Sequence, residues 1–352
     1  MSATVDCRPG AVRGSDRAMM ILALLFGGFV TTAGLLAVFN RVLPADFLAA
    51  AVTARSNHSG PARQIGGLAA APVAIAVMVA VAFAGGVDAK LAFGAAAGAT
   101  LLAVLGLLDD RRDLAAGAKL AGQFAAAFLF LWFLEPGLRL LPTEIPLAAE
   151  RALIAVALVW WINMTNFMDG LDLMVVAGIG VPHAVIALAG AAGMVDAAPT
   201  ILSAAIAGAL FGFAPFNLPP ARVFLGDSGS LALGLLSGAV ALMLAMRSPW
   251  AALLPFAFFL ADSVSTIVLR ALRRENVFAA HSSHAYQVVR RAGRPVPSIV
   301  AEVALVSLLS GGLAIGAMRW GSPFDVAAFA CGGALAAASV YRMRRQALAA
   351  KR

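Results

Sequence analysis

The sequence has little charge and very little cysteine. Only 12% of its 352 residues are Asp, Glu, Lys or Arg, about half the share of an ordinary soluble domain, whereas 61% are hydrophobic. Its two cysteines, Cys7 and Cys331, lie far apart, which argues against a disulfide framework and against thiol or zinc chemistry. The composition therefore excludes a soluble globular protein and indicates one embedded in a membrane.

Long apolar runs fill most of the chain. A spanning helix needs about 20 mostly apolar residues, because lipid cannot satisfy exposed backbone groups. We predict an all-α integral membrane protein with about 11 transmembrane helices, forming a single polytopic membrane domain over residues 1–352, and we expect the first run to be a retained span rather than a cleaved signal. The predicted spans are 18–39, 66–86, 89–108, 117–134, 151–168, 173–194, 197–216, 229–246, 249–270, 298–317 and 323–341.

The basic residues predict the orientation of these spans. With an external N-terminus, most of the 26 Lys and Arg residues fall on the inner side, as the positive-inside rule requires. Arg8, Arg13 and Arg17 are the exception. We therefore predict a periplasmic N-terminus and a cytoplasmic C-terminus. The net charge of +8 then reflects lipid headgroups rather than nucleic acid.

Acidic residues gather in the short connections after the third, fifth and seventh predicted spans, which places them all on the cytoplasmic side. In the first, GLLDDRRDL, Asp109 and Asp113 are four residues apart and would share one helix face if the third helix continues for a turn. Clustered carboxylates repel one another unless a cation joins them, and Mg²⁺ prefers a few carboxylates plus phosphate oxygens. The alternative is a solvated loop in which Arg111 and Arg112 pair with these acids.

The other two acidic connections carry amides, prolines and glycines. In NMTNFMDGLD (163–172), amides that suit phosphate or sugar oxygens precede two acids, although Asp-Gly is also a common turn. In NLPPARVFLGDSGSL (217–231), prolines stop one helix, and Gly226 and Gly229 bracket an acid and hydroxyls where the next helix begins. The start of that helix could present its N–H groups to an anion, or Asp227 and Ser228 could simply cap it.

Two basic segments and one buried acid complete the polar set. In HSSHAYQ, His281 and His284 are three residues apart, which would place them on one face of a helix, facing phosphate or a metal. The segment RSNHSGPARQIGG (55–67) is either part of a site or an ordinary positive-inside loop. Asp262, deep in the ninth predicted span, needs a partner and is either structural or part of the site.

In their order along the chain, the segments RSNHSGPARQIGG, GLLDDRRDL, NMTNFMDGLD, NLPPARVFLGDSGSL and HSSHAYQ resemble the polyprenyl-phosphate N-acetylhexosamine-1-phosphate transferases (glycosyltransferase family 4). That membrane family includes the phospho-MurNAc-pentapeptide translocase of peptidoglycan synthesis and the GlcNAc-1-phosphate transferases that begin O-antigen synthesis. HSSHAYQ is similar to the initiators of O-antigen and capsule, and Leu173 stands where the family usually has glycine.

The resemblance implies transfer of an N-acetylhexosamine 1-phosphate from a UDP-sugar to undecaprenyl phosphate, which releases UMP and starts lipid-linked polysaccharide synthesis. It further implies Mg²⁺ (with Mn²⁺ as a substitute), the bilayer but no nucleic acid as a partner, and a bacterial inner-membrane location with a cytoplasmic active site; a homodimer is compatible with it. The cytoplasmic catalytic loops are expected at about 40–65, 109–117, 166–173, 217–230 and 270–297.

The resemblance also implies roles for particular residues. Asp109, Asp110 and Asp227 are expected to be catalytic, with Asp227 and Asp110 as the metal ligands. The expected substrate-binding residues are Arg63, Asn166, Asp169, Asp172, Asn217, Phe224, His281 and His284.

Two other functions fit parts of the sequence. Asp109, Asp110 and Asp113 spell the DDxxD with which intramembrane prenyltransferases hold a prenyl diphosphate, but that chemistry needs a second aspartate-rich motif. A transporter predicts charges near the membrane midplane and an internal repeat, whereas these acids lie at helix ends and no repeat is visible.

Overall fold

The computed structural model describes residues 14–50, 62–276, 279 and 281–350. Within these residues the chain is helical, with two isolated backbone bridges and no β-strand, so the all-α prediction is confirmed. The helices are α1 (Gly14–Val42), α2 (Gly67–Phe83), α3 (Ala89–Arg112), α4 (Ala116–Trp132), α5 (Leu147–Phe167), α6 (Val181–Ala191), α7 (Ala197–Phe213), α8 (Gly226–Ala245), α9 (Pro249–Leu253), α10 (Ala257–Leu272), α11 (Ala285–Arg291), α12 (Val296–Trp320) and α13 (Phe324–Ala349).

Each predicted span overlaps an apolar helical stretch. Eight stretches of the described chain are long and apolar enough to cross a membrane: α1, α3, α5, α8, α12, α13, α7 with its extension to Phe216, and α9 joined to α10. The other three predicted spans coincide with shorter apolar helices: α2, α4, and α6 together with the π-helical turn Val176–Gly180. The fold is that of an integral membrane protein. Eleven crossings and the orientation of the termini stay predictions.

Helix α8 lies at the centre of the bundle. It packs against α2, α3, α5 and α7, and 89% of its apolar stretch is buried, against 22% for α1 and for α13. The outer helices thus present apolar surface, as expected of helices that contact lipid.

Two glycines let neighbouring helices reach the start of α8. A Cβ atom on Gly106 of α3 would lie 2.3 Å from the carbonyl carbon of Asp227, and one on Gly67 of α2 would lie 2.2 Å from the backbone nitrogen of Gly229. Side chains at these positions would push the helices apart. Small residues at membrane-helix contacts allow this close approach, which here brings the end of α3 onto the beginning of α8.

A short extended pairing ties the segment before α2 to the segment before α8. The Phe224 backbone N–H donates to the Arg63 carbonyl at 2.8 Å, and the Gly66 N–H donates to the Phe224 carbonyl at 2.9 Å. These bonds hold Phe224 beside Gln64, and both residues line the same cavity.

Candidate active site

A cavity of about 750 Å³ opens where the C-terminal ends of α3 and α5 meet the start of α8. The three acidic connections, which are far apart in the sequence, all contribute to its wall, as expected. We call it the acidic cavity. The described residues that line it are Ala49, Ala50, Gln64, Asp109, Asp110, Arg111, Arg112, Asp113, Asn166, Phe167, Asp169, Gly170, Leu171, Asp172, Asn217, Phe224, Gly226 and Asp227.

Asp110 caps the N-terminus of α8. Its Oδ1 accepts a hydrogen bond from the Asp227 backbone N–H at 2.9 Å, and its Oδ2 accepts one from the Ser228 N–H at 3.1 Å. These are unpaired donors of the first helical turn. In the structure these two N–H groups face the carboxylate of Asp110, and neither Asp227 nor Ser228 is the cap, because α3 supplies it.

Asp109 is held by groups on its other side. Its Oδ2 pairs with the Lys119 ammonium at 2.8 Å, and its Oδ1 accepts from the Leu114 N–H at 2.7 Å. The alternative was that Arg111 and Arg112 pair with these acids. Arg111 does not, because its guanidinium lies over the Phe47 ring, 5.2 Å from the ring centre. The sequence reading missed Lys119, because ten residues separate it from Asp109.

Asn166 orients the Asp227 carboxylate. Its amide donates to Asp227 Oδ1 at 2.8 Å and to the Ser230 hydroxyl at 2.9 Å. The Asp227 carboxyl also contacts that of Asp109. Side chains from α3, α5 and α8 thus meet at Asp227. The other flagged amide, Asn163, lies deeper and pairs with Gln123 of α4 at 2.7 Å.

The acidic cavity carries an excess of negative charge, since six aspartates and two arginines line it. Asp169 lies in the connection after α5. Burial raises the pKa of its carboxyl group well above the usual range, and the neighbouring carboxylates of Asp227, Asp110 and Asp172 raise it further. Clustered acids with this electrostatic cost are stabilised by a cation.

The donor set suits a hard divalent ion that is shared with a substrate. Among the described residues, no three His, Cys, Asp or Glu side chains form a group that could hold a metal by themselves. Mg²⁺ does not need such a cage, because it binds through one or two carboxylates together with substrate phosphates and water. Asp110 and Asp227 fit that requirement, because both line the cavity and the Asp110 carboxylate accepts a hydrogen bond from the Asp227 backbone N–H.

Asn217 lines the cavity and holds its floor together. Its Oδ1 accepts from the Leu173 N–H at 2.6 Å, and its Nδ2 donates to the Val223 carbonyl at 2.8 Å. Leu173 has a φ of +60°, in the left-handed region that favours glycine. This conformation gives a physical reason for a glycine at this position in the family.

Arg63 does not reach the acidic cavity. Its guanidinium donates to the carbonyls of Leu43 and Pro44, both at 3.2 Å, and to the Asn40 side chain. It therefore binds the C-terminal end of α1. Residues 51–61, which include most of the RSNHSGPARQIGG segment, lie outside the described part of the chain.

The two histidines lie beside the cavity wall rather than in it. They precede α11 instead of sharing a helix face, so that expectation is wrong. Their ring centres are 5.1 Å apart and lie 6.2 Å (His281) and 6.4 Å (His284) from the Phe167 ring, which lines the cavity. Burial, with the nearby His284 and Arg270, lowers the pKa of His281 to about 4. His281 is therefore neutral at neutral pH in the ligand-free protein.

Comparison with known proteins agrees with the geometry. The profile of Glycosyl transferase family 4 matches residues 92–245, which contain α3, α5, the start of α8 and the acidic connections between them. A decaprenyl-phosphate N-acetylglucosaminephosphotransferase of Mycolicibacterium smegmatis is 34% identical, with 40% of this chain and 38% of that protein aligned.

Two further relatives extend the comparison. The protein of the same name from Mycobacterium tuberculosis is 29% identical over 68% of this chain and 67% of its own. A phospho-N-acetylmuramoyl-pentapeptide-transferase of Synechococcus is 36% identical over 47% of this chain and 50% of its own. The chain thus spans between 38% and 67% of the length of these relatives. Most of the residues that line the cavity lie in the region that the profile matches, and over that region the chain is similar to glycosyl transferase family 4.

Proposed function

We propose that this protein transfers an N-acetylhexosamine 1-phosphate from a UDP-sugar to undecaprenyl phosphate and releases UMP. The observation that carries the proposal is the meeting of Asp110, Asp227 and Asn166 in one acidic cavity, at the end of a helical bundle suited to a lipid substrate. A relative from Bacillus subtilis, 28% identical over 53% of this chain, is named a probable undecaprenyl-phosphate N-acetylglucosaminyl 1-phosphate transferase.

The reaction joins two phosphorylated substrates. An oxygen of the lipid phosphate forms a bond to the β-phosphorus of the UDP-sugar, the bond from that phosphorus to the oxygen bridging the two phosphates breaks, and UMP leaves with this oxygen. A phosphate monoester has a second pKa near 6, so much of the acceptor already carries the required charge at neutral pH. A strong general base is therefore not required of Asp109 or Asp110.

Mg²⁺ fits the negative charge of the cavity, with Asp227 and Asp110 as its protein ligands and Mn²⁺ as a substitute. When bound, such an ion neutralises phosphate oxygens and the developing charge of the leaving group. The chain's own contribution is to hold these carboxylates in place. Asp110 fixes the first turn of α8, and Asn166 fixes the Asp227 carboxylate.

The remaining wall of the cavity would hold the nucleotide. The Phe224 ring offers a face on which uracil can stack, and Asp169 and Asp172 offer acceptors for hydroxyl or base N–H groups. Lys119 keeps Asp109 ionised beside them. Asn217 holds the backbone of this wall, whereas Arg63 binds the end of α1 outside it.

The location follows from the same proposal. We place the acidic cavity on the cytoplasmic side of a bacterial inner membrane, where nucleotide sugars are available, with the cytoplasmic loops at about 40–65, 109–117, 166–173, 217–230 and 270–297. Most Lys and Arg residues then face inward. The proposed pathway class is the initiation of O-antigen or capsule synthesis. A homodimer is compatible with this proposal, because a single chain supplies all the residues that line the cavity.

The test is an assay of purified protein with UDP-N-acetylglucosamine, undecaprenyl phosphate and Mg²⁺. We expect UMP and a lipid-linked sugar phosphate to appear in equal amounts, and chelation of the metal to stop both. Other UDP-N-acetylated sugars are tested in parallel to identify the donor sugar. Release of UDP or of inorganic diphosphate, or no product with any donor, would contradict the proposal.

A further inference from the structure

Asp262 is a buried acid on α10 that the proposed reaction does not use. Its side chain is 0% exposed and lies in a stretch apolar enough to cross a membrane. Burying an ionised carboxylate in such surroundings is costly unless other groups pair with it. The partners of Asp262 therefore indicate what it does.

The first partners are backbone groups at the start of α11. Asp262 accepts hydrogen bonds from the N–H groups of Ala285, at 2.8 Å, and Tyr286, at 3.4 Å. Helix α11 has only seven residues, and a helix that short is marginal on its own. Its first N–H groups need acceptors, and α10 supplies them.

The second partner comes from the last helix. Arg344 of α13 donates to Asp262 at 3.3 Å, to the Thr266 hydroxyl at 2.7 Å and to the Ser283 carbonyl at 3.3 Å. One guanidinium thus joins α13 to α10 and to the segment just before α11. Arg344 lies well beyond residues 92–245, which the family profile matches.

Helix α11 in turn contacts the wall of the acidic cavity. The Tyr286 hydroxyl donates to the Phe167 carbonyl at 2.9 Å, and a Cβ atom on Gly170 would lie 2.5 Å from that hydroxyl oxygen. Tyr286 is fully buried, so it has no room to move independently. We define the acidic loop as residues 167–173, which follow α5 and carry Asp169 and Asp172.

We propose that Asp262 is a positioning residue: by fixing the start of α11 it sets, through Tyr286, the acidic loop that binds the nucleotide sugar. Stability alone does not account for the buried pair of Asp262 and Arg344, because well-packed apolar side chains commonly replace a buried ion pair without loss of stability. The contacts run without a break from Arg344 through Asp262 and Tyr286 to Phe167. The kinetic part of this inference rests on the proposed function.

The kinetic test compares Asp262→Ala and Tyr286→Phe with wild type, using UDP-N-acetylglucosamine and undecaprenyl phosphate. Loosening the acidic loop should raise the KM for the UDP-sugar about tenfold, as the loss of a supporting hydrogen bond to a binding group commonly does. The KM for the lipid phosphate should stay unchanged. Arg345→Ala is the matched control, because Arg345 is an exposed neighbour of Arg344 on the same helix.

Two results would overturn the inference. The first is a wild-type KM for the UDP-sugar in both variants. The second is an equal rise in both KM values or a fall in kcat alone, since a merely structural defect lowers the amount of active enzyme without selecting one substrate. Asp262→Asn keeps the size of the side chain and removes its charge, so it decides the role of Asp262 if Asp262→Ala does not fold, and Tyr286→Phe tests the contact with Phe167 alone.

A second readout is independent of activity. Hydrogen–deuterium exchange should rise in residues 166–173 of both Asp262→Asn and Tyr286→Phe, while exchange in residues 133–146 at the opposite end of the bundle stays at the wild-type level. Unchanged exchange in 166–173 would overturn the inference even if the enzyme is active. Conversely, a wild-type protein that releases no UMP would contradict the proposed function, and the exchange result would still decide the role of Asp262.

Discussion

The acidic residues and the histidine segment (281–287) are held in place in different ways. Around Asp110 and Asp227, helix ends touch directly: the carboxylate of one helix binds the backbone of the other, and a glycine permits the contact. The histidine segment also begins on a carboxylate, that of Asp262 of α10, but this acid does not line the acidic cavity and is itself bound by Arg344 of α13. Changes at the first region should therefore abolish the reaction, whereas changes at the second should weaken substrate binding.

The largest effect is expected from removing a charge at the direct contact. Asp110→Asn and Asp227→Asn should each lower UMP release by at least about 100-fold, since loss of metal-site groups and their supports commonly has effects of this size. Asp196→Asn is the matched control, because this exposed aspartate lies between α6 and α7 and does not line the cavity. Near-normal turnover in either variant would remove its assigned role.

A methyl group at Gly106 should break the same contact without changing charge. The new Cβ would lie 2.3 Å from the Asp227 carbonyl, so α3 and α8 must separate, at a cost of about 1–3 kcal/mol in the free energy of unfolding. Gly106→Ala should also lose most UMP release, because Asp227 moves. Thermal unfolding in detergent and the activity assay measure both effects.

Gly117→Ala provides the comparison for that variant. Gly117 lies in the first turn of α4 with open space around it, so alanine there should raise helix stability by up to about 1 kcal/mol. If Gly106→Ala behaves like Gly117→Ala, the close approach of α3 to α8 is not what places Asp227.

A smaller effect is expected at the nucleotide wall. Phe224→Leu removes a stacking face worth about 1–3 kcal/mol per base, so the KM for the UDP-sugar should rise about tenfold with little change in kcat. Phe224→Tyr keeps the ring and should behave like wild type. Steady-state kinetics with varied UDP-sugar makes the comparison, and an unchanged KM in Phe224→Leu would place uracil elsewhere.

The smallest effect concerns the backbone at Leu173. Glycine there should relieve about 1 kcal/mol of left-handed strain, offset by glycine's own entropy cost of about 0.5–1 kcal/mol, so stability should change by less than about 1 kcal/mol. Leu171→Gly, at a buried position outside the left-handed region, should destabilise clearly, as large-to-small changes in a core do. Chemical denaturation measures both, and equal losses would contradict the role of φ.

The sequence was sufficient for the apolar helices and for the meeting of the acids. Apolar length predicts helices in lipid, and an alternating topology places the connections after the third, fifth and seventh spans at one end. Asp109, Asp169 and Asp227 accordingly line one cavity. These predictions depend on properties of short segments, which a sequence displays directly.

The partners of individual side chains were beyond the sequence. Asp110 and the amides it caps are 117 and 118 residues apart, and Arg344 and Asp262 are 82 residues apart. No local pattern encodes contacts between residues so far apart in the sequence. For the same reason the sequence did not show that Arg63 binds the end of α1, or that the two histidines precede α11. The left-handed backbone at Leu173 was likewise visible only as a departure from the family's glycine.

The most direct test of the central claim follows the β-phosphate of the donor. With UDP-N-acetylglucosamine labelled in that phosphate, or with whichever UDP-sugar the enzyme accepts, the label should pass to the lipid product while UMP stays unlabelled. Asp227→Asn should show no transfer. Label that remains with the nucleotide as UDP, or transfer that persists in Asp227→Asn, would contradict a sugar-1-phosphate transferase built around this acidic cavity.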